Sequence, residues 1–146
     1  MITSLDVVVP VFNEEKDLPP SIGKLHDFLL RHLNEYKWRI TIADNGSTDA
    51  TLDVAKGLSE QHPRVGYIGL DQRGRGRALS KAWLESDADI LAYMDVDLST
   101  ELSALPVLVE AIGVEGYDIA IGSRLKKGAR VIGRSVKREL ISRAYS

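Results

Sequence analysis

With 146 residues, 44% apolar and 27% charged, the chain has room for a real core and does not have the composition of a disordered segment. It contains no cysteine, which excludes disulfides, thiolate metal sites and a cysteine nucleophile, and no apolar run approaches the ~18 residues of a membrane-spanning helix. The net charge of −2 conceals an asymmetry: residues 1–123 carry 11 Lys and Arg against 20 Asp and Glu, whereas 124–146 carry 8 against 1, a basic arm on an acidic body.

The first predicted element is the β-branched run "SLDVVVPVF", of strand length. A helix follows, with Ile22, Leu25, Leu29 and Leu33 on one face. "WRITIAD" is the second strand, Leu52 and Ala55 begin a second helix, and "RVGYIGL" is the third strand. Ala78 and Ala82 mark a third helix, "ADILAYMD" a fourth strand, and Leu102, Leu105, Leu108, Val109 and Ile112 a fourth helix, before "YDIAIGS" reads as a fifth strand. Near-continuous apolar strands joined by crossover helices predict an α/β fold, a mostly parallel sheet covered by helices on both faces. Such sheets bind ligands at the carboxyl ends of their strands.

Those ends are rich in Asp, Asn, Arg and Gly. "PVFNEE" follows the first strand where a dinucleotide-binding fold would carry G-x-G-x-x-G, and there is no Walker sequence. In "ADNGSTDATL", Asn45-Gly46 predicts a turn, and Ser47, Thr48 or Asp49 a helix cap. Asp44, which that reading leaves over, is placed to accept a base N–H or a ribose hydroxyl. "DQRGRGRAL" offers backbone N–H groups and three arginines to a phosphate.

"YMDVDLST" ends the fourth strand on two acids. In a regular strand Asp95 and Asp97 point to the same face, where they repel unless a cation lies between them. Hard oxygen ligands suit Mg²⁺ or Mn²⁺, which commonly take one or two carboxylates and fill the remaining positions with water and phosphate oxygens. A solvated strand end is the plainer reading, and Ser99 or Thr100 followed by Glu101 also reads as a helix start. The basic tail is either a solvated face or an attractor of an anionic membrane or phosphorylated lipid. The acidic body and scarcity of aromatics argue against nucleic acid. His26, His32 and His62 have no metal-ligand spacing.

Taken in order, "VVVPVFNEEKDL", "IADNGSTDAT", "RGRGRAL", "YMDVDLS" and "IAIGSRL" resemble the successive signatures of family 2 glycosyltransferases of the GT-A fold. "GSRLKKGARVIGRSVKRELISR" is similar to a segment of the branch that contains dolichyl-phosphate mannose synthases and dolichyl-phosphate glucosyltransferases. The resemblance implies that Pro10, Val11, Asn13, Glu14, Asp44, Arg73 and Arg77 line the nucleoside pocket of a sugar nucleotide. It implies that Asp95 contacts the nucleotide, that Asp97, with Asp95 beside it, holds Mg²⁺ or Mn²⁺, and that Arg124 and Arg138 hold a polyprenyl phosphate. Residues 1–123 would form the nucleotide-sugar-binding core and 124–146 a basic acceptor-side segment, together part of a longer domain. Where the family commonly has two consecutive acids, this chain has Asp44-Asn45.

The reaction so implied is inverting transfer of a hexose, from UDP-glucose by preference or else GDP-mannose, to a polyprenyl or dolichyl phosphate. The acceptor oxygen is already anionic, so no general base is needed. The expected setting is cytoplasmic, at the cytoplasmic face of a membrane. Two other readings stay open: a family 2 transferase acting on a saccharide or cell-wall hydroxyl, and a non-catalytic nucleotide-sugar-binding or membrane-adaptor module.

Overall fold

The computed structural model describes residues 3–71, 73–74, 76–98, 102–116, 121–122 and 129–130. The chain forms two compact units, Met1–Ser99 and Thr100–Ser146. In the first, β1 (Ser4–Val11), α1 (Leu18–His32), β2 (Lys37–Asp44), α2 (Thr51–Gln61), β3 (Val65–Gly69), α3 (Arg77–Glu85) and β4 (Ile90–Tyr93) follow in order. The strands make one all-parallel sheet ordered β3-β2-β1-β4.

The central strand, β1, is paired on both edges, and Leu5, Val7, Val8, Val9 and Val11 are all buried. This explains why its sequence runs apolar without alternation. The buried face of α1 is Leu18, Ile22, Leu25 and Leu29, the helical spacing expected, and Pro19 and Pro20 lie in its first turn, where no N–H is required. Removing one such side chain, as in Leu25→Ala, is expected to cost about 2–5 kcal/mol. Helices α1 and α2 pack on each other, and α3 packs on β1, β2 and β3. Trp83 of α3 also donates its indole N–H to the Ala92 carbonyl of β4 at 3.2 Å.

The strand order has a switch. The chain steps from β1 to β2 to β3 in one direction, then returns across the sheet to place β4 on the other side of β1. The connections leaving β1 and β4 therefore diverge, opening a crevice at their carboxyl ends.

Pro10 sets where β4 stops. The Met94 N–H still donates to the Val8 carbonyl at 3.0 Å. The next β1 group facing β4 is the nitrogen of Pro10, which has no proton to give, and the ladder ends there. Asp95 and Asp97 consequently lie outside the strand. Residues 96–97 are a turn, closed by the Leu98 N–H on the Asp95 carbonyl at 2.9 Å, with Leu98 at φ 52°. The expectation that the two acids share one face of a strand is corrected accordingly.

In the second unit α4 spans Ala104–Gly113, so the helix starts after Ser103 and not at Ser99 or Thr100; those two residues and Glu101 lie outside the described residues. The predicted fifth strand is described only at β5 (Ile121–Gly122), which pairs antiparallel with β6 (Ala129–Arg130) in a separate two-stranded sheet. That pairing was not predicted.

Candidate active site

The carboxyl ends of β1, β2 and β3 are level: Val11 pairs with Asp44, and Asp44 with Gly69. The ladder extends one step further, with Asn45 N–H on the Val11 carbonyl at 2.9 Å and Leu70 N–H on the Asp44 carbonyl at 3.0 Å. Chemistry-bearing residues are set out along this rim.

Asp44 is buried. Its carboxylate receives the Ser47 hydroxyl and, at 3.4 Å, the Ser47 N–H, so the turn at Asn45-Gly46, with Gly46 at φ 77°, folds back on the acid. The short polar side chain after a tight turn supplies what a buried carboxylate requires, donors in place of water. Asn45 next to it is different: its Oδ1 is buried with no hydrogen-bond partner among the described residues.

Asn13 joins this loop to the one after β1. It adopts φ 51°, a left-handed conformation that Asn tolerates better than most residues. Its Oδ1 accepts the N–H groups of Thr48 at 2.8 Å and Asp49 at 3.3 Å, and its Nδ2 lies 3.2 Å from the Thr48 hydroxyl. The amide expected to line a nucleoside pocket is thus engaged in holding two loops together. The N-cap position of α2 is Ala50, which supplies no side-chain bond; Asp49, one residue earlier, accepts the Thr51 N–H at 2.9 Å and the Thr51 hydroxyl. These bonds hold the Asp49 carboxyl below its ordinary value.

Glu14 shows how the acids are gathered. Partial burial, then Asp17, Asp97 and Asp49, raise its carboxyl above the usual range. The turn after β4 thus contributes to the charge around Glu14, after burial and Asp17. Among the described residues no cluster of three acidic or histidine side chains could hold a metal ion unaided. One or two carboxylates at a rim of raised negative potential, Asp97 exposed and Asp95 half-buried, fit a cation that takes its other ligands from water and a diphosphate.

Cationic groups line the same rim. The Arg73 guanidinium lies 4.2 Å from the centre of the Phe12 ring, which draws the loop after β3 to the loop after β1. Phe12 was not singled out from the sequence; an aromatic just past a strand end, in a chain with arginines in a Gly-rich loop, was the signal available. Arg77 opens α3 after Gly76, at φ 78°, and its stem occupies the space over Gly74, where an added Cβ would come within 2.3 Å of Arg77 Cδ. The Arg77 N–H is taken by the Gly74 carbonyl at 3.1 Å, so its side chain, more than its backbone, is what it offers an anion. Pro10 is half-buried and Val11 buried, which leaves mainly their backbone to a ligand. Arg124 and Arg138 lie outside the described residues.

The sequence profile of Glycosyl transferase family 2 matches residues 6–141. The chain belongs to this family. Several of its relatives are named as dolichol- or undecaprenyl-phosphate sugar transferases. It is 34% identical over 143 residues to Glycosyltransferase AglD of Haloferax volcanii, covering 97% of this chain and 23% of that protein. It is 33% identical over 139 residues to the Dolichol-phosphate mannosyltransferase of Pyrococcus furiosus, covering 95% of this chain and 38% of that protein. The family member thus spans well under half the length of these two relatives. In fold it is similar to the mannosyltransferase PcManGT of Pyrobaculum calidifontis, solved with GDP-Man and Mn²⁺, at TM-score 0.61 and 23% identity, over 80% of this chain and 34% of that one. The parallel sheet with its helices is part of a GT-A fold.

Proposed function

We propose that the chain carries the donor-binding portion of a metal-dependent, inverting hexosyltransferase whose acceptor is a polyprenyl or dolichyl phosphate. One observation carries this reading: at the switch point of the sheet, the strand order β3-β2-β1-β4 sets Glu14 after β1, Asp44 at the end of β2, Arg73 and Arg77 after β3 and the Asp95–Asp97 turn after β4 along one edge. Carboxylates and arginines gathered at such an edge suit a divalent cation arriving with a diphosphate.

In this reading Asp97, with Asp95 beside it, holds Mg²⁺ or Mn²⁺. Bound there, the ion would supply positive charge to offset that of the departing diphosphate. Asp44 has lone pairs left after its bonds to Ser47 and presents them to a base N–H or ribose hydroxyl. Arg73, held over the Phe12 ring, and Arg77, held over Gly74, face the nucleotide. Arg124 and Arg138 bind the acceptor phosphate, whose anionic oxygen attacks the anomeric carbon directly and inverts it, with no general base. The basic segment 124–146 suits a protein working against an anionic membrane at its cytoplasmic face. No helix among the described residues is long and apolar enough to cross one.

Donor identity is read by a thermal-shift panel of UDP, GDP, UDP-glucose and GDP-mannose, each with Mn²⁺ and with chelator. UDP-glucose is the donor preferred on the family resemblance alone; the mannosyl names of the Pyrococcus and Pyrobaculum proteins support GDP-mannose. Ligand at ~100 times its dissociation constant is expected to add about 2.7 kcal/mol of stability. A metal-dependent shift with one nucleotide assigns the base; no shift with any of the four overturns the reading in favour of a module that binds no donor.

A further inference from the structure

Two hydroxyls at the rim occupy the same kind of position. Ser47 Oγ accepts the Asn13 N–H at 2.9 Å and donates to Asp44. Thr51 Oγ1 accepts the Glu14 N–H at 2.8 Å and donates to Asp49. Each hydroxyl accepts a backbone N–H of the loop after β1 and donates its own proton to a carboxylate, Asp44 at the end of β2 or Asp49 in the loop that follows, and the two N–H groups belong to successive residues. Neither bond caps α2 in the ordinary sense, because neither hydroxyl accepts an N–H of that helix.

We propose that Ser47 and Thr51 are positioning residues of the donor site, which fix the Asn13-Glu14 backbone and aim Asp44; this rests on the donor-binding reading above. Asn13 is the reason such fixing is needed. Its left-handed backbone is a conformation that few non-glycine residues hold unaided, and the Ser47 hydroxyl secures its N–H while Thr48 and Asp49 secure its side chain. Thr51 is fully buried, so its two bonds form without competition from water. A hydroxyl that donates to a carboxylate becomes a better acceptor, so each relay strengthens its own N–H bond. Losing Ser47 Oγ would leave the exposed Asn13 N–H to solvent and buried Asp44 short of one donor. The acid would then turn toward whatever donors remained.

The test pairs Ser47→Ala with Ser47→Thr and Thr51→Val with Thr51→Ser, using UDP and GDP with Mn²⁺ as probes. Titration calorimetry reads affinity, and NMR amide exchange reads the loop. Ser47→Ala is expected to speed exchange at Asn13, leave Val7 and Ile42 protected, and weaken nucleotide binding about tenfold, as loss of the part-buried bond to the Asp44 carboxylate implies. Thr51→Val should do the same at Glu14, and the hydroxyl-keeping variants should restore both readouts. Wild-type affinity in Ser47→Ala overturns the positioning role while leaving the donor reading intact. A wild-type protein that binds neither nucleotide overturns the donor reading and the positioning role with it. Should Thr51→Val fail to fold, Thr51→Ser and the Ser47 pair still decide the matter.

Discussion

The sheet buries an aspartate near each of its edges, and the two are neutralised differently. Near the amino edge, Asp6 on β1 sits in register with Arg39 on β2, whose guanidinium lies 2.9 Å from it. The Thr41 hydroxyl donates to Asp6 at 2.7 Å and the Ser86 hydroxyl at 2.8 Å. Close by, Asp89 and Ser4 exchange hydrogen bonds and fasten the start of β1 to the loop before β4. At the carboxyl edge, Asp44 has hydroxyl and N–H donors but no ion pair among the described residues, and Glu14, Asp49 and Asp97 crowd the same rim. One edge has closed its electrostatics within the protein. At the other, Asp44 keeps lone pairs beyond its bonds to Ser47, so a buried carboxylate is structural in one place and, in the proposed reading, available for binding in the other.

The comparison breaks most visibly if the amino edge is disturbed. Arg39→Ala leaves the buried Asp6 carboxylate with hydroxyls alone and is expected to cost about 1–3 kcal/mol in urea melts, since the half-exposed guanidinium is partly screened by solvent. Nucleotide affinity, measured where the variant stays folded, should not change. Next comes Asp97→Asn, which should abolish the metal-dependent gain of about 2.7 kcal/mol on saturation with nucleotide while leaving the ligand-free melt as it was. Asn45→Asp would restore the two consecutive acids common in the family, but the buried, unpartnered Oδ1 of Asn45 would become a carboxylate oxygen without a donor. A loss of about 1–3 kcal/mol in melting is expected.

The smallest effect is in pH dependence, where the edges should respond with opposite sign. His26, packed edge-on against Trp38 and facing His62, Asp27 and Arg64, has its imidazole lowered from 6.5, first by burial and then by His62. A depressed folded value means that its contribution is present above the unfolded value and is lost as pH falls below it. Glu14 is raised, so its contribution is present at acid pH and is lost as pH rises through its folded value. Glu14→Gln should therefore raise the melting temperature at pH 7 and change little at pH 4, whereas His26→Gln should flatten the decline between pH 7 and pH 5.5.

Particular residues show how far the sequence could be read. The turn at Asn45-Gly46 and the apolar strand runs are local, and they appear where local chemistry puts them. Asp6 was passed over because it interrupts an apolar run by a single residue, and nothing local reveals that Arg39 lies in register with it. Ser47 was read only as a possible cap, since its true partner, Asn13, is 34 positions away. The expectation for Asp95 and Asp97 failed for a similar reason: the strand ends at the pairing partner's Pro10, a residue of another element.

Hydrophobic content and spacing alone determined that there would be covered parallel strands with polar, charged loops at their carboxyl ends, because burial and period are properties of short stretches. The motifs in those loops carried the family likeness. Tertiary structure decided the order β3-β2-β1-β4, and with it the contribution of Asp97 to the charge around Glu14, the placing of Arg73 over Phe12 and the hydroxyl relays. Strand neighbours and register depend on which distant edges pair, a global choice among ladders that no single segment encodes.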